Sequence, residues 1–102
     1  MTKKGTHDYA ADPRNDDVSI YVNGELLPRR EARVSVFDSG FVFGDGVWEG
    51  VRVHRGKLLF IEEHLDRLEQ GAKAIDLDIG MTREALCDAI RQTLDANGMD
   101  DG

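Results

Sequence analysis

The stretch SGFVFGDGVWEGVRV, residues 39–53, decides how this chain is read. It packs four glycines, three large aromatics and one arginine into fifteen residues. It can be a glycine loop that cradles a phosphate, or a strand that uses glycine for another reason. The dinucleotide fingerprint G-x-G-x-x-G comes after a strand and opens a helix. Here Gly44, Gly46 and Gly50 are spaced G-x-G-x-x-x-G, and the residues after them are strand-like. A Walker loop needs Gly-Lys-Ser/Thr, and the chain has none. Both phosphate-loop readings fail, and the strand reading stands.

In a strand, successive side chains face opposite sides. Val47, Glu49, Val51 and Val53 then share one face, and Trp48, Gly50, Arg52 and His54 the other. The second face is a wide aromatic, a gap, a guanidinium and an imidazole in a row. A glycine at position 50 allows close approach to the backbone. Such a face can be the wall of a pocket for a small anion with an apolar part. It can equally be an exposed sheet face with one Trp over a core edge. Since ligand sites are few per protein, the plainer arrangement is the commoner one.

The regions on either side read as hairpins. Residues 18–22, VSIYV, are strand-like, and Asn23-Gly24 is the strongest hairpin signal in the chain. ELLP returns as a second strand ending at Pro28, where the ladder loses a donor. ARVSVF, residues 32–37, alternates like another short strand. Arg55-Gly56 is a turn after which KLLFI pairs back. The period then changes. Residues 61–75 and 82–97 read as helices, the second capped by Thr82 and stopped at Asn97-Gly98, with Leu86, Ile90 and Leu94 as its apolar stripe. Strands and then helices predict an α+β fold: an antiparallel sheet of hairpins over about residues 18–60, then two helices. Residues 1–17 lack periodicity and read as a disordered polar tail. GMDDG comes after the last helix stop with no closing element, like a piece of something longer or a short acidic tail.

With 102 residues the chain is one small domain. Thirteen basic residues against twenty acidic give a net charge of -7. Phosphate neutralisation needs a basic patch, so extended nucleic-acid binding is not expected. Cys87 is the only cysteine, so the chain can build neither a disulfide nor a cysteine-based zinc site, and no metal is expected. Cys87 reads as a small core residue on the second helix. No apolar run reaches membrane-spanning length and no signal peptide opens the chain, so the default location is cytoplasmic.

The first helix carries three faces at roughly 100° per residue. Ile61, Leu65, Leu68, Ala72 and Ile75 form the apolar stripe. Glu62, Asp66, Glu69, Gln70 and Lys73 form a polar face with Glu63 at its margin. His64, Arg67, Gly71 and Ala74 remain, cationic at one end and small at the other. Arg67 can offer a planar fork to phosphate or carboxylate, or simply pair with Glu63 on the surface.

Taken together, VSIYVNGEL, VSVFDSGFVFGDGVWEGVRVHRGKL and EEHLDRLEQGAKAI resemble the N-terminal domain of the class IV (fold-type IV) pyridoxal-phosphate aminotransferases. That family includes branched-chain aminotransferases, D-amino-acid aminotransferases and aminodeoxychorismate lyase. The resemblance spans residues 18–102 and rests on the ordered pair FGDG-V-aromatic-E-G-x-R and E-H-x-x-R-L. It implies pyridoxal 5'-phosphate as cofactor, with Arg67 in H-x-x-R-L matching the arginine that holds its phosphate. Trp48, Gly50 and Arg52 match strand positions that line the substrate pocket. Phe43 falls where branched-chain enzymes often carry tyrosine, so a hydroxyl is missing there.

The family's Schiff-base lysine lies in a second domain, and Lys3, Lys4, Lys57 and Lys73 do not match it. The resemblance therefore implies that this chain is the small domain without its second domain, inactive alone. That domain would cover the third helix face. The implied activity is amino-group transfer between an amino acid, branched-chain first, and a 2-oxo acid such as 2-oxoglutarate, by a homodimer. A D-amino-acid aminotransferase or the lyase is the alternative within the family. Outside it stands a non-catalytic domain that binds a small anion or a partner through His64, Arg67 and Gly71. An exposed apolar face would count against that last reading, because it implies a missing cover.

Overall fold

Asn23 and Gly24 both take positive φ, 49° and 90°, which is the backbone of the tightest hairpin turn. They join β1 (Ser19–Val22) to β2 (Glu25–Pro28) in antiparallel register, Ile20 opposite Leu27 and Val22 opposite Glu25. This computed structural model describes residues 12–102. A second two-residue turn, Arg55-Gly56 at φ 50° and 76°, joins β3 (Val53–His54) to β4 (Lys57–Leu58). The two long helices come next, as α2 (Ile61–Ala74) and α3 (Arg83–Ala96). The Thr82 side chain accepts from the Ala85 N–H at 3.1 Å and caps α3, while Asn97 and Gly98 end it. The α+β order of hairpins then helices is as the sequence predicts.

Three local expectations are corrected. The strands form two separate two-stranded sheets, not one sheet over residues 18–60. ARVSVF makes no strand: the Ser35 hydroxyl accepts from the Phe37 N–H at 3.0 Å, its carbonyl accepts from the Asp38 N–H at 3.1 Å, and the chain turns there. Its alternation has no partner strand to pair with, and Val34, Val36 and Phe37 all face outward. The start of the glycine stretch is a short helix, α1 (Ser39–Phe43). Asp38 caps it by accepting from the Gly40 N–H at 2.8 Å, and Gly44 closes it at φ 77°, where a Cβ would be strained.

Of the tail predicted for residues 1–17, residues 1–11 lie outside the described ones. Pro13–Asn15 form one 3-10 turn, and Arg29 donates to the Asn15 carbonyl at 3.0 Å. The C-terminal end is not idle either. Val53 and Gly102 exchange two backbone hydrogen bonds, at 2.8 and 2.9 Å, and the Gly56 N–H donates to the Asp100 carbonyl at 2.8 Å. Residues 100–102 therefore lie along β3 as a closing edge.

The core is thin: Val53, Leu65, Ala72 and Ala89 are its buried members. Cys87 is half-buried on α3. With so little apolar burial, polar stitches matter more. Asn97 supplies one, laying its side-chain amide against β1 like a strand. Its Oδ1 accepts from the Ser19 N–H at 2.8 Å, and its Nδ2 donates to the Ser19 and Thr93 carbonyls at 2.9 and 2.7 Å. Arg83 supplies another at the start of α3. It reaches Glu69 at 2.7 Å, Glu62 at 3.0 Å and also Asp66, all on the polar face of α2.

Asn97→Ala leaves the backbone N–H and carbonyl of Ser19 without their partner and is expected to cost about 1–3 kcal/mol. Thermal unfolding followed by circular dichroism should show the midpoint falling by several degrees; an unchanged midpoint would refute the stitch.

Candidate functional site

From Val47 to His54 the side chains alternate inward and outward, as the strand reading predicts. Val47, Glu49 and Val51 are half-buried and Val53 is buried, while Trp48, Gly50, Arg52 and His54 are exposed. Only Val53–His54 pair in a ladder; residues 46–52 are extended without one. This segment lies on the third face of α2. Its Val47 sits over Gly71, where an added Cβ would come within 3.3 Å of Cγ1. The missing side chain at Gly71 is what lets the strand approach the helix. The chain's own residues thus cover part of the face that the resemblance assigns to a second domain.

Glu49 comes next on the same inward side, and it meets the cationic end of that face. Its Oε1 accepts from Arg67 Nε at 2.6 Å and its Oε2 from Arg67 Nη2 at 2.7 Å. Oε2 also lies 2.7 Å from His64 Nδ1. So short a contact with a carboxylate makes Nδ1 the protonated nitrogen. The 3.3 Å approach of Arg67 Nη2 to the same Nδ1 is then proximity between two donors, not a bond. The Glu49 and His64 side chains are 12% and 17% exposed, but that of Arg67 is 68% exposed. The two Arg67 bonds, joined by that from His64, hold the Glu49 carboxyl down at about 2. Glu49 in turn raises the Arg67 guanidinium further above its ordinary value. Within the fold Arg67 therefore pairs with Glu49 and not with Glu63, the surface partner named from sequence.

The structure brings Trp48, Gly50 and Arg67 together with Glu49 around one open depression of about 460 Å³. Phe43, at the end of α1, and Arg52 are exposed and outside its lining. At Gly50 an added Cβ would stand 3.8 Å from the Trp48 ring, an ordinary contact, so the ring already covers that gap. A larger depression of about 750 Å³ lies at the α2–α3 connection. Its Asp66, Glu69, Asp76 and Asp78 outnumber the lining cation Lys73 together with Arg83, which pairs with Asp66 and Glu69, so the balance there is still negative and unfavourable to an anion. The smaller depression holds the guanidinium and is the better anion site. Its fit to pyridoxal phosphate is at the phosphate end. Lys57 is exposed on β4 and Lys73 lines the other depression, so neither described lysine brings an amine to it. Among the described residues no cluster of His, Cys, Asp or Glu could hold a metal ion, and no helix is long and apolar enough to cross a membrane.

Sequence reasoning missed Glu49 as a site residue. The signal was present: one carboxylate among the inward valines 47, 51 and 53 must find a partner or carry the cost of desolvation.

Residues 46–102 match the family model for amino-transferase class IV. A putative branched-chain-amino-acid aminotransferase of Methanocaldococcus jannaschii is 42% identical over 84 residues, which is 82% of this chain and 29% of that protein. A D-alanine aminotransferase of Staphylococcus haemolyticus is 42% identical over 83 residues, 81% of this chain and 29% of that protein. Among solved structures, a branched-chain aminotransferase from Thermoproteus uzoniensis, determined with norvaline, superposes with a TM-score of 0.73. It shares 32% identity over 83% of this chain and 30% of that one. The chain belongs to the class IV aminotransferases and corresponds to their N-terminal region. It spans 29% of the length of both relatives.

Glu49 ordinarily titrates near 4.5 and in the fold at about 2. As pH falls the unfolded chain takes up the proton first. The contribution of Glu49 is complete above the unfolded value and lost as pH drops through the folded one. Near neutrality, urea unfolding is expected to give a higher midpoint for the native chain than for Glu49→Gln. The gap should narrow below about 4.5 and close near 2. A gap that stays constant over that range would contradict the pairing.

Proposed function

We propose that the complete protein transfers an amino group between a branched-chain amino acid and a 2-oxo acid such as 2-oxoglutarate with pyridoxal phosphate. In this reading the present chain is its small domain and the enzyme is a homodimer. The observation that carries the proposal is Arg67. Its guanidinium is side-chain exposed, fixed along one edge by Glu49, and shares a depression with Trp48 and Gly50. A planar cation so held suits a phosphate monoester. Bound there, pyridoxal phosphate supplies the aldehyde that carries the amino group and the ring that takes up electrons.

Each of the chain's own residues then has a role. Arg67 holds the phosphate, and Trp48 with Gly50 walls the substrate side and limits its width. Arg52, on the same outward face, offers a cation to a substrate carboxylate. Phe43 presents a ring without the hydroxyl common in branched-chain enzymes. The amine that attacks the cofactor and moves the substrate α-proton is assigned to a lysine of the second domain. Phe37 is 88% exposed and Trp48 86%, with Phe41 and Phe43 also outward. So many open aromatics support a further protein surface over these residues. They count against the stand-alone binding domain.

A D-amino-acid aminotransferase is the second reading, favoured by the D-alanine aminotransferase that matches at 42% identity, level with the branched-chain relative. The complete enzyme assayed side by side with L-leucine, D-alanine and aminodeoxychorismate separates these and the lyase.

Arg67→Ala in the complete enzyme is expected to weaken pyridoxal phosphate binding by about tenfold or more, the scale of a lost charge-assisted hydrogen bond. Equilibrium titration of the cofactor absorbance measures it, and an unchanged affinity would sink the assignment.

A further inference from the structure

An arginine this exposed does not by itself hold one geometry. Its long side chain rotates freely unless something fixes it, and phosphate recognition by guanidinium depends on the direction of its planar fork. In this fold the fixing group is a carboxylate. Glu49 takes the Nε and Nη2 edge of Arg67 at 2.6 and 2.7 Å. Glu49 is itself braced by His64, which shares Oε2 with Arg67 Nη2 at 2.7 Å, and its side chain is only 12% exposed. Guanidinium has five N–H donors. Two are spent on Glu49; the two on Nη1 and one on Nη2 remain, and one from each nitrogen points out of the Nη1/Nη2 end as a pair. Only that end is open to an oxyanion.

We propose that Glu49 is a positioning residue for anion binding: braced by His64, it fixes Arg67 so that its Nη1/Nη2 end faces the depression beside Trp48 and Gly50. This rests on the reading of Arg67 as the phosphate anchor. The proposal runs against the simple electrostatic expectation. A carboxylate touching the anchor cancels its charge, so removing Glu49 ought to strengthen anion binding. Orientation outweighs charge because the guanidinium is 68% exposed, where solvent weakens a single charge but does nothing to restore a lost direction. His64 contributes by keeping the carboxylate from swinging out with the arginine.

The test compares pyridoxal phosphate with pyridoxal, which lacks the phosphate. The ratio of their dissociation constants isolates the phosphate contribution. It is read in the complete enzyme for the native protein, Glu49→Gln, Arg67→Ala and the double variant, each checked by thermal unfolding. Glu49→Gln is expected to cut the phosphate advantage by about tenfold and to add nothing once Arg67 is alanine. His64→Gln, which removes the brace on Glu49, is expected to shift the ratio the same way by a smaller factor. If Glu49→Gln leaves the advantage unchanged or enlarges it, Glu49 is a mere counter-charge and the proposal is overturned. If it weakens both ligands equally, or acts as strongly without Arg67, its role is general packing and the proposal is again overturned. A native-like ratio in Arg67→Ala is a separate result: it removes the phosphate-anchor reading itself.

Discussion

A carboxylate on the inward side of an unpaired strand is the constraint around which this domain is arranged. Glu49 sits where valines 47, 51 and 53 sit, on the face turned toward the protein. A charge there is tolerable only with its hydrogen bonds made. His64 and Arg67, one turn apart on α2, make them. The same three residues fix the strand's height on the helix, with Val47 resting on the bare backbone of Gly71. A segment with no ladder of its own is thus held by side chains.

The helix that receives the strand is tied on its other flank as well. Arg83 gathers Glu62, Asp66 and Glu69 on the polar face of α2, and it does so from the first turn of α3. Exposed ion pairs taken singly contribute little. Here one guanidinium serves three carboxylates and is itself only 34% exposed, so the group acts as a hinge pin between the helices. With four buried apolar residues in the described chain, these contacts add a polar tie between helices that share a thin core.

What the sequence makes legible is what local chemistry decides. The Asn23-Gly24 hairpin, the Arg55-Gly56 turn, the Thr82 cap and the Asn97-Gly98 stop each depend on a few neighbouring residues, and each stands where expected. The inward–outward alternation of 47–54 is also legible, and with it the company of Trp48 and Gly50. The failures are of two kinds, local turn and cap chemistry that overrode a strand-like period and a side-chain pairing between separate elements. ARVSVF has the period of a strand, but a strand needs a partner, and Ser35 turns the chain before any is reached. FVF resembles a strand too, yet Asp38 and Gly44 cap it into a single helical turn. Arg67 was legible as a guanidinium on the third face of α2, but not its tie to Glu49. The i, i+4 neighbour Glu63 was the visible candidate, whereas the real one comes from another element.

The stitches between distant parts also set the order in which the domain can form. Ser19 and Asn97 are 78 residues apart in sequence, and Val53 meets Gly102 across nearly half the chain. Closing such loops costs entropy before any contact rewards it, and folding slows as contacts become less local. The hairpins and helices can form from nearby residues, but the strand that carries Trp48 and Glu49 gains its edge only when the far end of the chain arrives. The contacts of Glu49 with His64 and Arg67 close loops of only 15 and 18 residues, so they can form before these distant stitches do.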